Sequence, residues 1–194
     1  ASGSACDIAL GALRAVFYQF DVDGSFPALG NAVLAALQLN EPDDLIPWIQ
    51  ESEKHEIAAL AVTVFREAEE GDALAKQVLY DAADKLADMA VHCAERQLRK
   101  GKPVQFVLAG SVLLKQPAFA AGVGRRLAEQ WEGCQVVKLE GEGVQGALAL
   151  ARALPVGDKI PAPLPARESG PLIALSQMAS APTEWRNPRT MVLD

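Results

Sequence analysis

The sequence has few of the residues that build metal centres and disulfide frameworks. Its 194 residues include three cysteines and two histidines. Cys6, Cys93 and Cys134 lie far apart and form no CxxC pair, and the histidines show no paired ligand spacing. Separated thiols in odd number are typical of a reducing compartment, and a zinc site needs closely spaced ligands. We therefore expect a cytoplasmic protein with buried thiols and no metal ligands of its own.

Positive charge and long apolar runs are also scarce. The net charge is -7 and the pI is about 4.9, and no block of Lys and Arg is present, so a nucleic-acid partner is not expected. No apolar run approaches the roughly 20 residues of a membrane span. The first residues have no basic start and include Asp7, so we expect neither a signal peptide nor a membrane partner.

Hydrophobic residues are abundant, at 50% of the chain, which is enough for one domain with a tail. Apolar spacing predicts helices over 7–20, 28–39 and 53–70. A short helix within "NEPDDLIPWIQ" would have Asn40 as its N-cap. Gly71 is predicted to end the 53–70 helix, and the residue after it, Asp72, to cap the next.

The most regular pattern predicts a helix from 73 to about 99. Its apolar positions alternate steps of four and three, which indicates an Ala-rich buried seam: Ala75, Leu79, Ala82, Leu86, Met89 and Cys93. The charged face is interpreted as solvated surface: Asp81, Asp84, Lys85, Asp88, Glu95 and Arg96. An alternative hypothesis makes this Ala-rich face the function, in a non-catalytic helical interaction or dimerisation module.

The α/β part of the chain follows. The pattern predicts strands at 104–109 and 134–139, with helices at about 116–131 and 144–153. From Pro155 onward the composition changes, because seven of the twelve prolines lie in the last forty residues. We therefore expect the domain to end near residue 154 and a Pro-rich linker to begin there.

Small residues end the first of these strands. Ala109, Gly110 and Ser111 leave room for a ligand to approach the backbone, and the following helix supplies free N–H groups. A plain turn is the alternative for a Gly after a strand. A second small-residue turn at 140–151, "EGEGVQGALALA", follows the next strand. Two such turns indicate one crevice at the ends of neighbouring strands, although no Walker or dinucleotide motif is present.

Four stretches in order resemble the BadF/BadG-type ATPase family, which includes N-acetylglucosamine and N-acetylmuramic acid kinases. They are "SGSACDIALGALRAV", "EIAALAVTVFREAEEGDALAKQVLYDAADKLA", "VQFVLAGSVLL" and "GEGVQGALALAR". The resemblance covers residues 2 to 153. It implies a helix-rich α/β fold, namely part of the C-terminal lobe of an actin-like (ribonuclease-H-like) kinase fold, with ATP and an amino sugar as ligands.

The resemblance also implies site residues. Ala109, Gly110 and Ser111 would lie against the adenosine of ATP, and Ala58 would wall the adenine pocket. Gln145 and Gly146 would approach the same site. Gly3 and Ser4, from the family's Gly-Asp-x-Gly-Ser-Ala motif, would lie at the sugar.

The sequence departs from the family in two respects. The place of the acidic residue in the Gly-Asp-x-Gly-Ser motif is occupied by Ala1. The N-terminal lobe, with its phosphate loops and catalytic Asp, does not appear in these residues. Since such kinases close two lobes on ATP, Mg²⁺ and sugar, the resemblance implies no catalytic residue here and an inactive chain when alone.

The tail resembles a second family. "TEWRNPRTMVLD", Thr183 to Asp194, is similar to the opening motif of N-acetylmuramic acid 6-phosphate etherase. The resulting organisation is a C-terminal nucleotide-binding lobe (1–154), a linker (155–171) and the start of an etherase-like segment, extended in conformation (172–194). The parent would be a kinase–etherase fusion of cell-wall sugar recycling. Alternatives are an etherase as the parent activity, or the interaction module above. The long helix and an open sheet edge make a homodimer a candidate state.

Overall fold

The computed structural model describes residues 3–98, 102–139, 141, 144–145, 148 and 151–152. The chain divides into two units, residues 1–143 and 144–194. The described residues of the second unit are helical. The first unit contains the helices α1 (Ala5–Asp23), α2 (Ala28–Leu37), α3 (Leu45–Glu51), α4 (Lys54–Ala59), α5 (Ala61–Glu70), α6 (Ala73–Gln97), α7 (Ser111–Lys115) and α8 (Pro117–Gln130), and the strands β1 (Gln105–Leu108) and β2 (Gln135–Lys138).

The first helices match the predicted spans, but one cap was wrong. A 3₁₀ turn at Pro42–Asp44 precedes α3, and its N-cap is Glu41 rather than Asn40. The Glu41 carboxylate accepts from the third residue of the turn, while the Asp44 carboxylate accepts from the Glu41 N–H at 3.1 Å. This reciprocal capping box satisfies two backbone N–H donors. Asn40 precedes the capping position by one residue and takes no part in it.

The helix predicted over 53–70 is two helices. The N–H of Leu60 donates to the carbonyl of Ile57 at 3.2 Å, which is a 3₁₀ contact that separates α4 from α5. Leu60 and Ile57 are both buried in a cluster with α1 and α2. The turn thus lies between two buried side chains, and periodicity alone did not predict it.

The junction between α5 and α6 is confirmed. Gly71 ends α5 with φ of 112°, and Asp72 caps α6 by accepting from the Ala75 N–H at 2.7 Å. Positive φ favours glycine, and a carboxylate is among the preferred N-caps.

The predicted seam of α6 was only partly right. Ala75 and Ala82 are buried, but Met89 is 50% exposed and Cys93 is exposed. The buried positions are Ala75, Val78, Ala82, Ala83, Ala87, Val91 and Ala94. A straight α-helix drifts from a strict seven-residue repeat by about 20° per heptad, and α6 packs against α1, α5 and α8 instead of one partner. The alanines therefore face neighbours within the chain, which does not favour the interaction-module alternative.

Two residues of the supposed solvated face also make contacts between helices. The Asp84 carboxylate accepts from Arg126 Nε of α8 at 3.2 Å, and the Asp88 carboxylate accepts from Gln130 Nε2 at 2.7 Å. The thiols, expected to be buried, are half-buried at Cys6 and Cys134 and exposed at Cys93.

The predicted β-α-β unit is present. β1 and β2 pair in parallel, with Gln105 opposite Gln135 and Leu108 opposite Lys138. The helix predicted at 116–131 begins at Pro117, and the short helix α7 precedes it. Trp131 follows α8, is 1% exposed, and donates from Nε1 to the Lys102 carbonyl at 2.9 Å. This bond ties the end of α8 to the entry of β1.

Within the described residues no helix is both long and apolar enough to cross a membrane.

Candidate functional site

The loop after β1 is open on the side where a ligand could approach. Leu108 is buried at the end of the strand, whereas Ala109, Gly110 and Ser111 are exposed. Gly110 has φ of 94°, and a Cβ built on it would meet nothing within 4 Å. The backbone conformation favours glycine, while the space around it is free. Neighbouring side chains therefore do not fill the place that the absent side chain leaves.

The start of α1 is also built from small residues. Gly3 has φ of 73°, which favours glycine, and a Cβ there would lie 2.8 Å from Leu86 Cδ2, the end of a flexible side chain. The Ser4 hydroxyl caps α1 by accepting from the Asp7 N–H at 3.2 Å, and the Asp7 carboxylate accepts from the Gly3 N–H at 3.1 Å. The Ser4 hydroxyl still has its own proton to donate.

These two segments meet at one cavity of about 270 Å³. Its wall consists of small and apolar residues from the start of α1, the middle of α6 and the loop into α7: Gly3, Ser4, Ala5, Leu86, Ala109, Gly110, Ser111, Val112 and Leu113. This volume is slightly below the lower limit, about 300 Å³, of the range that is usual for small-molecule pockets. It therefore suits a ring-sized part of a ligand better than a complete nucleotide.

The described wall of the cavity is neutral. Among the described lining residues none has a charged side chain, and the polar side chains are the Ser4 and Ser111 hydroxyls. Backbone groups of the glycines and of the start of α1 add further polar atoms, because the first N–H groups of a helix lack intrahelical acceptors. An apolar wall with a few hydrogen-bonding groups suits a flat ring with polar edges. Within the described ranges no group of three His, Cys, Asp or Glu side chains could hold a metal ion.

Comparison with known proteins identifies the family. The model of the BadF/BadG/BcrA/BcrD ATPase family matches residues 2–151. The chain belongs to this family. Membership confirms the resemblance that the four ordered motifs indicated, and it implies an actin-like fold.

Two relatives of this family member are kinases by name. The N-acetylmuramic acid/N-acetylglucosamine kinase of Clostridium acetobutylicum is 28% identical over 153 residues, covering 78% of this chain and 50% of the relative. The N-acetyl-D-glucosamine kinase of Dictyostelium discoideum is 25% identical over 154 residues, covering 77% and 48%. The chain thus spans about half the length of the curated relatives it matches.

The structure brings five of the eight predicted site residues to the cavity. Gly3 and Ser4 line one side, and Ala109, Gly110 and Ser111 line the other. This arrangement brings the described start of the chain to the loop after β1, although Ser4 and Ala109 are 105 positions apart in the sequence.

Of the other three predicted residues, Ala58 alone is a described residue of the same unit. Ala58 is half-buried on α4, which packs against α1, and it is not a lining residue. Gln145 is exposed and belongs to the second unit. Gly146 lies outside the described residues.

Four described wall residues were not predicted, namely Ala5, Leu86, Val112 and Leu113, and of these Leu86 comes from a separate helix. Its position in the apolar pattern of α6 assigned it to the helix seam, whereas the structure leaves it half-buried against Gly3 and in the cavity wall. The feature that identifies Leu86 as a wall residue is its position opposite Gly3, a glycine with positive φ. That pairing becomes visible only when α6 is placed beside the start of α1.

Proposed function

We propose that this chain is the C-terminal, nucleotide-binding lobe of an ATP-dependent amino-sugar kinase of the N-acetylglucosamine/N-acetylmuramic acid class. The carrying observation is the cavity at which Gly3 and Ser4 meet Ala109, Gly110 and Ser111. Its neutral, small-residue wall suits the adenosine part of ATP. The names of both relatives support a sugar as the phosphate acceptor.

The residues of this chain would bind and orient the nucleotide. Ala109 and Gly110 admit the ring because no side chain covers the Gly110 backbone, and Ser111 places a hydroxyl at the ring edge. Ser4 would offer its hydroxyl proton on the other wall, in the direction of the phosphates and sugar. Ala58, Gln145 and Gly146 would complete the site in the whole enzyme. The catalytic base and the Mg²⁺ ligands would come from the N-terminal lobe.

The tail supports a wider proposal about the parent protein. Residues 172–194, which lie outside the described part of the chain, resemble the start of an N-acetylmuramic acid 6-phosphate etherase. A kinase acting on N-acetylmuramic acid makes the substrate of that etherase, so a fusion would join successive steps of cell-wall sugar recycling in the cytoplasm. A homodimer stays a prediction. The reading frame beyond Asp194 tests the fusion.

Kinase assays on the complete protein test the main proposal. We expect the full reading frame to release ADP from ATP only when N-acetylglucosamine or N-acetylmuramic acid is present. We expect residues 1–194 alone to be slower by at least about 1,000-fold, because one lobe cannot position both substrates. ADP release that is independent of amino sugars, or the absence of transfer to either sugar, would contradict the proposal.

A further inference from the structure

A second cavity lies between α5, α6 and α8 in the first unit. Its volume is about 440 Å³, within the range of roughly 300 to 1,000 Å³ that is usual for small-molecule sites. It shares no lining residue with the cavity at Gly110. The nucleotide site proposed above therefore does not explain the presence of this second cavity.

The inner surface of this cavity is apolar and aromatic. The rings of Phe65 and Phe119 pack edge to face, with centroids 5.7 Å apart and an angle of 84° between their planes. Leu79 and Ala83 of α6 continue the same surface. Such a wall can receive an aromatic ring, because a further ring adds edge-to-face contacts and removes apolar surface from water.

Positive charge surrounds this apolar surface. Lys76, Arg125 and Arg126 are among its described lining residues, together with one carboxylate, that of Glu69. A second carboxylate, that of Asp84, pairs with Arg126 from outside the lining, so three cations face two carboxylates and a positive excess remains. The charge pattern therefore complements an anionic ligand.

The Arg126 guanidinium is held in place at the cavity wall. Arg126 is 8% exposed, and its guanidinium carbon lies 3.9 Å from the centroid of the Tyr80 ring. Its Nε donates to the Asp84 carboxylate at 3.2 Å and its Nη1 donates to the Gly122 carbonyl at 3.1 Å. Neither bond uses Nη2. A fixed guanidinium with a remaining donor loses little freedom when it binds a carboxylate.

We propose that this cavity binds a small aryl carboxylate, with its ring against Phe65 and Phe119 and its carboxylate among Lys76, Arg125 and Arg126. The aromatic surface supplies apolar contact, and the cations supply the preference for an acid over a neutral analogue. The site is separate from that of the proposed nucleotide, so the two proposals stand or fall independently.

Calorimetric titration of residues 1–194 with 3-phenylpropionate tests the site. We expect saturable binding with a Kd at or below about 1 mM. The neutral analogue 3-phenylpropionamide should bind at least about ten-fold more weakly, since it cannot make charge-assisted hydrogen bonds. Acetate, which lacks the ring, should not bind measurably.

Three variants connect the binding to the named residues. The double variant Lys76→Gln/Arg125→Gln should weaken 3-phenylpropionate binding by about ten-fold and leave the amide unchanged. Ala118→Trp, at an exposed lining position, should fill the space and remove binding. Arg66→Gln removes a cation that lies on α5 outside the cavity and should have no effect.

Several results would overturn the proposal. Equal affinity for the acid and the amide would mean that the cations play no part, and absence of saturation up to about 20 mM would mean that no site exists. If the unliganded chain dimerises in sedimentation equilibrium and Ala118→Trp abolishes the dimer, the cavity is part of a protein interface instead.

Discussion

Replacing Trp131 by alanine will lower the free energy of unfolding by about 3 to 5 kcal/mol. Trp131 is among the largest fully buried side chains of the described residues, with 1% of its surface exposed. The substitution removes its apolar contacts and leaves a void at the end of α8. It also removes the donor to the Lys102 carbonyl, which is the bond between this helix and the entry of β1.

Two variants separate these contributions in urea denaturation. Trp131→Phe retains most of the ring but has no N–H, so we expect a loss of about 1 to 2 kcal/mol beyond the cost of the smaller ring. Tyr18→Ala removes an aromatic side chain that is 72% exposed, and we expect a change within about 0.5 kcal/mol. A loss below about 1 kcal/mol in Trp131→Ala would mean that this tryptophan does not anchor the β-α-β unit.

Substitution of Ser111 by tryptophan will abolish the stabilisation of the chain by ATP. At 10 mM ATP and a Kd of about 1 mM, binding contributes about 1.4 kcal/mol, which raises the melting temperature by roughly 3 to 5 °C. Ser111 is exposed and lines the cavity. A bulky ring there occupies the space proposed for adenosine without entering the core, so the rise should fall to zero.

Leu114→Trp is the matched control for this experiment. Leu114 lies on the same short helix, is 43% exposed and does not line the cavity. We expect this variant to keep the full increase in melting temperature with ATP. Retention of the increase in Ser111→Trp would place the nucleotide elsewhere.

Local signals predicted the α5–α6 junction and the two strands, although the N-cap at Asn40 was wrong. Gly71 and Asp72 determine the α5–α6 junction by backbone conformation and side-chain capping, and both properties can be read from neighbouring residues. The break at Leu60 could not be predicted, because it depends on where α1 receives the Ile57 and Leu60 side chains. The buried face of α6 also depends on the three helices that pack against it. A pattern with one seam therefore predicted Met89 and Cys93 to be buried, whereas both are exposed.

The candidate site was predictable only in part for a similar reason. Gly110 is required by its own backbone angle, and a small-residue loop after a strand is a local signal. Gly3 is likewise favoured by its own backbone angle, but its contact with Leu86, 83 positions away in sequence, arises only from the fold. The pairing of Asp84 with Arg126 and the cavity next to it likewise arise from the packing of α6 on α8, which no spacing rule encodes.

Amide chemical shifts of ¹⁵N-labelled residues 1–194, recorded with a non-hydrolysable ATP analogue up to about 20 mM, test the central claim most directly, because they detect weak binding. The account predicts shifts that saturate and that concentrate in Gly3–Ala5 and Ala109–Leu113. Shifts that concentrate at the Phe65–Phe119 cavity, or no saturating shift in either segment, would contradict it.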